Sequence, residues 1–177
     1  MGRRAGEQCA AFAPDPSSGG HDGRTGAVQE GWTPPSSLKP VPVTRAGKAL
    51  QAGITLEGAT VNAVIDTGAS AVLAVTRETA EAAGLLDGRE RTPGQSIVLG
   101  GTVRAETVVV RTLTIGDDLH RDAEVAIYDD VAVPGFPKAL IGMEAFAGRR
   151  LALDLGGPRL FASRALDITV GRPITPR

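Results

Sequence analysis

At 177 residues, with 19 basic against 20 acidic side chains, the chain has room for one domain plus extensions. It lacks the net charge that a phosphate backbone or an anionic membrane surface would need to hold it, so nucleic acid is not an expected partner. Its one cysteine, Cys9, excludes an internal disulfide framework. No stretch approaches the roughly 20 apolar residues of a membrane span, so the chain as given reads as soluble, with its compartment left open.

Residues 1–42 are rich in Gly, Pro, Ser and Ala and poor in branched apolar side chains. Such a segment buries too little surface to offset its ordering entropy, which predicts a flexible arm. Within it Trp32, just before Pro34-Pro35, reads as an exposed linker residue, with docking on the domain or a partner as the alternative. A folded domain is expected over 43–164, where short apolar runs alternate with turn signals. Leu50 to Leu56 and Thr60 to Ile65 flank Glu57-Gly58 as a hairpin, and Ala71 to Val75 is a further strand. Thr76 is placed to cap a short helix with Ala80 and Ala83 inward, ended by Gly84. After a Gly/Pro loop, Ser96 to Leu99 and Thr102 to Ile115 meet at Gly100-Gly101, a dipeptide suited to a tight hairpin turn. Glu124 to Tyr128, Ala139 to Ile141, Arg150 to Asp154 and Leu160 to Ser163 add strands, with a helical turn or two around Met143 to Ala147. The last segment, 165–177, contains the weakly alternating run Ala165 to Val170, either an edge strand at a dimer interface or a frayed tail. Many short strands and only two small helices predict a mainly β class, a sandwich or closed barrel of antiparallel strands.

The chemistry centres on Asp66-Thr67-Gly68-Ala69-Ser70. Val61 to Ile65 delivers Asp66 from a buried strand, Gly68 admits backbone geometry closed to other residues, and Ala69-Ser70 keep the loop small. Far downstream stands Leu140-Ile141-Gly142, two bulky apolar residues and a glycine leading into the second helix. Other constellations are poorer. His21 and His120 have no metal-ligand partners at suitable spacing, so no metal is expected. Ser70 lacks the elbow of a hydrolase nucleophile, and no dinucleotide or phosphate-binding loop is present, so no cofactor is expected. Asp117-Asp118 and Asp129-Asp130 read as solvated turns.

In order, from about Ala49 to Ser163, these features resemble the retropepsin-type aspartic proteases, single-domain relatives of pepsin with viral and bacterial branches. The resemblance implies a retropepsin-like closed barrel. It assigns Asp66 as the catalytic residue, Thr67, Gly68, Ala69 and Ser70 as its loop, and Leu99, Gly100, Gly101 and Thr102 as a flap. Leu140, Ile141 and Gly142 would pack beside the loop. Viral members often pair an acidic residue at the place of Ser70 with an arginine at the place of Met143, so that brace is not expected here. Hydrolysis without a covalent intermediate needs one group to deprotonate water and another to protonate the carbonyl oxygen. This chain has one Asp-Thr-Gly, and Leu153-Asp154-Leu155-Gly156 lacks the residues of a second. The resemblance therefore implies a homodimer that brings two Asp66 carboxylates to one water and binds a polypeptide substrate as an extended strand. The alternative is a silent dimerisation or peptide-binding module on the same fold. A self-inhibiting arm, cut to release the groove, is a third possibility.

Overall fold

The computed structural model describes residues 33–98, 101–129, 134–154 and 156–165. Outside them lie residues 1–32 of the expected arm, with Cys9, His21 and Trp32, together with Leu99, Gly100, residues 130–133, Leu155 and the tail from 166.

The hairpin expected at Glu57-Gly58 is formed by β3 (Ala49–Leu56) and β4 (Ala59–Ile65). Leu56 pairs with Ala59, and the two turn residues both have positive φ, 50° at Glu57 and 91° at Gly58. That geometry matches the twist of the flanking strands. The left-handed conformation at Glu57 is held by its surroundings. Its N–H donates to the Thr112 carbonyl at 3.1 Å, and its carboxylate accepts from the Thr112 N–H at 3.0 Å and from Arg89 at 2.8 Å. Alternation puts Leu50, Ala52, Ile54 and Leu56 in the core.

The chain continues through β5 (Leu73–Thr76), α1 (Arg77–Ala82), β6 (Arg91–Val98), β7 (Gly101–Ile115), β8 (Asp118–Tyr128), β9 (Ala139–Ile141) and a 3₁₀ turn over Met143–Phe146. With β2 (Thr44–Ala46) these strands form one sheet in the order β2-β3-β4-β9-β5-β8-β7-β6. A further pairing of β3 with β7, Ile54 opposite Ile115 to Leu56 opposite Leu113, returns the sheet on itself. The resulting ring encloses Ile54, Leu73, Val75, Val108, Leu113, Ile127 and Ile141, all almost fully buried. The class is mainly β, as expected. Two of the pairings, however, are parallel, β4 with β9 and β5 with β8. Because β9 lies between β4 and β5, which run oppositely, it must run parallel to one of them, and side-chain periodicity carries no information about direction.

Helix α1 has the expected ends. The Thr76 hydroxyl accepts from the Thr79 N–H at 3.3 Å. At the other end Leu85 N–H bonds to Ala80 O and Gly84 N–H to Glu81 O, around Gly84 at φ 66° and a buried Leu85. This is a glycine-centred C-terminal cap with its hydrophobic contact. Thr76→Ala is expected to cost about 1 kcal/mol, read as a lower midpoint in urea unfolding; an unshifted midpoint would contradict the cap.

A second sheet has the order β1-β11-β10, with β1 (Leu38–Val41), β10 (Leu151–Asp154) and β11 (Arg159–Ser163). Leu38–Val41 falls in the segment assigned by composition to the arm, yet it pairs with β11, Leu38 opposite Ser163. Four residues containing a proline show no readable alternation, and their partner is far along the chain. Pro40 fits because β1 is an edge strand. The same reasoning explains β6, which begins at Arg91 rather than Ser96. As an edge strand it accommodates Pro93, opposite Glu106.

Charged residues expected in solvated turns have distant partners. Asp118 is the first residue of β8, opposite Ile115, and accepts from Arg149 at 3.0 Å. Asp129 accepts from Arg77, which also bonds Glu106 at 3.1 Å; these two carboxylates raise the arginine's pKa above its usual range. Partial burial pushes the His120 imidazole below its usual range, with Asp118 pulling it up and Arg149 pushing it down. The unfolded chain therefore binds this proton more readily than the folded one. The stabilisation is present above the unfolded value of about 6.5 and is lost as pH falls toward the folded value. His120→Gln is expected to remove that segment of the stability–pH curve, and curves of equal slope for both proteins below about pH 6.5 would contradict it.

Candidate active site

Asp66 extends β4 by one residue. Its N–H donates to the Ile141 carbonyl at 2.9 Å, the next rung after Val64–Leu140 and Ile65–Ile141 in the parallel β4–β9 ladder. Alternation therefore holds through Asp66: Ile65 points into the core, while Val64 and Asp66 share the other face. Beyond Asp66 the loop folds back on its own carboxylate. Oδ1 accepts from the Gly68 N–H at 2.8 Å, and the Ala69 N–H donates to the Asp66 carbonyl at 3.2 Å. Asp66 and Ala69 are half-buried, whereas Thr67, Gly68 and Ser70 are exposed. Among the described residues the Thr67 hydroxyl makes no hydrogen bond.

Leu140, Ile141 and Gly142 lie beside this loop, so the structure brings the two distant motifs together. Met143 N–H donates to the Ala69 carbonyl at 2.8 Å, and Gly142 N–H to the Val72 carbonyl at 3.3 Å. Gly142 has an ordinary extended backbone, φ −94°. What it supplies is space, since a Cβ there would lie 2.2 Å from the Ala71 oxygen and 2.7 Å from the Ala69 oxygen. Met143 packs against the core.

Of the expected flap, Gly101 and Thr102 are described. Strand pairing runs up to Val98 opposite Gly101, so Gly101, at φ 134°, is the first residue of β7 rather than part of the turn. Thr102 is exposed. The base of the hairpin is tied to α1 and the end of β8 by the Arg77 pairs with Glu106 and Asp129, and Arg91 also meets Glu106 at 3.5 Å.

Of the apolar wall on the Asp66 face, sequence reasoning singled out Leu140 and not its neighbours. Ala74, Ala105, Tyr128 and Leu140 form a second buried cluster, against which Val64, Val103, Ala126 and Phe136 pack. Counting back two residues from Asp66, as Leu140 stands two before Gly142, finds Val64. Tyr128 and Phe136 carry no comparable local signal.

Of four clefts among the described residues, one is lined by Arg77, Thr102, Val103, Arg104 and Asp129 at the hairpin, and none of the four is lined by Asp66. Asp154 is committed to its own turn, accepting from the N–H groups of Gly156 and Gly157 and from Arg159, each at 2.9 Å. The Gly157 N–H and then Arg159 hold its carboxyl below the usual range. Among the described residues no three His, Cys, Asp or Glu side chains converge as a metal site, and no helix is long and apolar enough to cross a membrane.

Residues 52–145, just over half of the chain, match the family model for aspartyl proteases. Among solved structures the fold is similar to that of a retropepsin-like aspartic protease from Rickettsia conorii, with a TM-score of 0.53 at 18% identity, covering 71% of this chain and 90% of that one. The EIAV protease in complex with the inhibitor HBY-793 aligns with a TM-score of 0.44 at 17% identity, covering 57% of this chain and 88% of that one. No curated protein matches the sequence.

Proposed function

From the premise that this chain belongs to the aspartyl protease family, we propose that it is an endopeptidase working as a homodimer, with one Asp66 carboxylate from each chain on a shared water. The observation that carries this reading is Asp66 itself, a half-exposed carboxylate at the end of a core strand, oriented by the Gly68 N–H and followed by the exposed residues Thr67 and Gly68. A single chain so built offers half of a two-carboxylate site. A two-fold axis at that exposed loop completes it, because the same patch then meets its own copy.

In the dimer one carboxylate takes a proton from the water while the other, protonated, donates to the carbonyl oxygen of the scissile amide. Two carboxylates at such separation do not both ionise, so they hold one proton between them, which favours mildly acidic conditions. Gly68 fixes the orientation of its own carboxylate, and the uncommitted Thr67 hydroxyl is a donor for the partner's loop. The substrate lies extended beneath the β6–β7 hairpin, its main chain pairing with strand backbone.

Assembly and activity should be linked. Hydrolysis per chain is expected to fall toward zero as the protein is diluted through the monomer–dimer transition measured by sedimentation. A specific activity that stays constant while the protein becomes monomeric would exclude a shared site. Saturable binding of extended peptides by the dimer without turnover would make the chain a peptide-binding module.

A further inference from the structure

The wall beside Asp66 is filled by the chain's own aromatic rings. Val64 stands one pleat, about 7 Å, behind Asp66 on the same face. Leu140 is opposite Val64, and Ala74 is opposite Leu140, so the wall runs across β4, β9 and β5. Leu140 is the large side chain nearest in register to Asp66 on that face, yet it is only 7% exposed. It belongs to one buried cluster with Tyr128, against which Val103 of the hairpin and Phe136 pack, and the Tyr128 and Phe136 rings meet edge to face with centroids 6.2 Å apart at 72°. The other positions are alanines, Ala74, Ala105 and Ala126, so the two rings occupy the volume that larger strand residues would otherwise fill.

We propose that Phe136, seated on Tyr128, makes the pocket next to the scissile bond shallow, and that the preferred substrates carry small side chains such as Ala, Ser or Val at the residues flanking the cleaved bond. This rests on Asp66-dependent hydrolysis. A substrate Phe or Leu has no room on the wall unless Phe136 leaves it, and that departure exposes an aromatic ring to water. Phe136 is a partly buried residue just before Pro137, outside any strand, so shortening it opens the pocket without breaking a ladder.

The test is a mass-spectrometric cleavage profile on a mixed peptide library for wild type, Phe136→Ala and Phe136→Val, with Asp66→Asn as the background and thermal unfolding to confirm that each variant is folded. Wild type is expected to cut between small residues. Both Phe136 variants should gain roughly tenfold or more in kcat/KM for peptides with Phe or Leu beside the bond, relative to those with Ala. Asp66-dependent cleavage that favours Phe, Tyr or Leu in wild type would overturn the pocket proposal alone. So would a folded Phe136→Val with an unchanged profile. Absence of any Asp66-dependent cleavage would overturn the hydrolytic reading and the pocket with it.

Discussion

Asp66→Asn is expected to leave the fold intact and to lower kcat/KM for peptide hydrolysis by roughly 10³–10⁴-fold. The substitution keeps the shape of the side chain, and its amide oxygen can still accept from the Gly68 N–H that the Asp66 Oδ1 receives at 2.8 Å. What it removes is the capacity to take up a proton from water or to hold one for the carbonyl oxygen. The effect should also be dominant. In mixtures of wild-type and Asp66→Asn chains that exchange freely, only dimers with two aspartates act, so activity follows the square of the wild-type fraction. An equal mixture at fixed total concentration retains about one quarter of the wild-type rate. A linear decline would show that each chain works alone. Full activity in the pure variant would remove Asp66 from the chemistry.

Gly142→Ala is expected to be the most damaging single methyl on the chain's two motifs. The added carbon would stand 2.2 Å from the Ala71 oxygen and 2.7 Å from the Ala69 oxygen. Both neighbours are backbone. Moving the Ala69 carbonyl breaks its 2.8 Å bond from Met143 N–H, and moving the loop strains the 3.3 Å bond from Gly142 N–H to Val72. The loss should reach the upper end for overpacking, about 3 kcal/mol, a large part of a typical domain's stability of roughly 5–15 kcal/mol. Because Ala69 belongs to the loop that begins at Asp66, hydrolysis should fall even in whatever fraction stays folded. Gly53→Ala is the control, since its Cβ would meet only the Asn62 side-chain oxygen, at 3.9 Å. Denaturant unfolding of both variants decides the point, and similar midpoints would contradict the close approach at Gly142.

Features with local causes are legible in the amino-acid sequence. Glu57-Gly58 reads as a tight turn because two positive φ values suit those residues, and Thr76 and Gly84 bound α1 because cap chemistry acts within one turn. Asp66 to Ser70 and Leu140 to Gly142 were legible as motifs, each attached to a strand whose apolar residues betrayed its burial. How those pieces meet depends on contacts between elements far apart in the chain. A period of two says which residues share a face, but not which strand lies alongside or in which direction, so the insertion of β9 between β4 and β5 could not be read. Leu38–Val41 became a strand because a distant partner, β11, supplied the hydrogen bonds that its composition does not advertise, and Pro93-Gly94 because the other arm of its own hairpin did so at a sheet edge. Asp118 and Asp129 gain partners in Arg149 and Arg77, which stand far from them in the chain. Likewise the reason for Gly142 is the two carbonyls pressed against it, and the wall of Val64, Leu140, Tyr128 and Phe136 exists only once β4, β9 and β8 are assembled. Local chemistry names the Asp66 loop; the space around it is a property of the neighbours that folding brings.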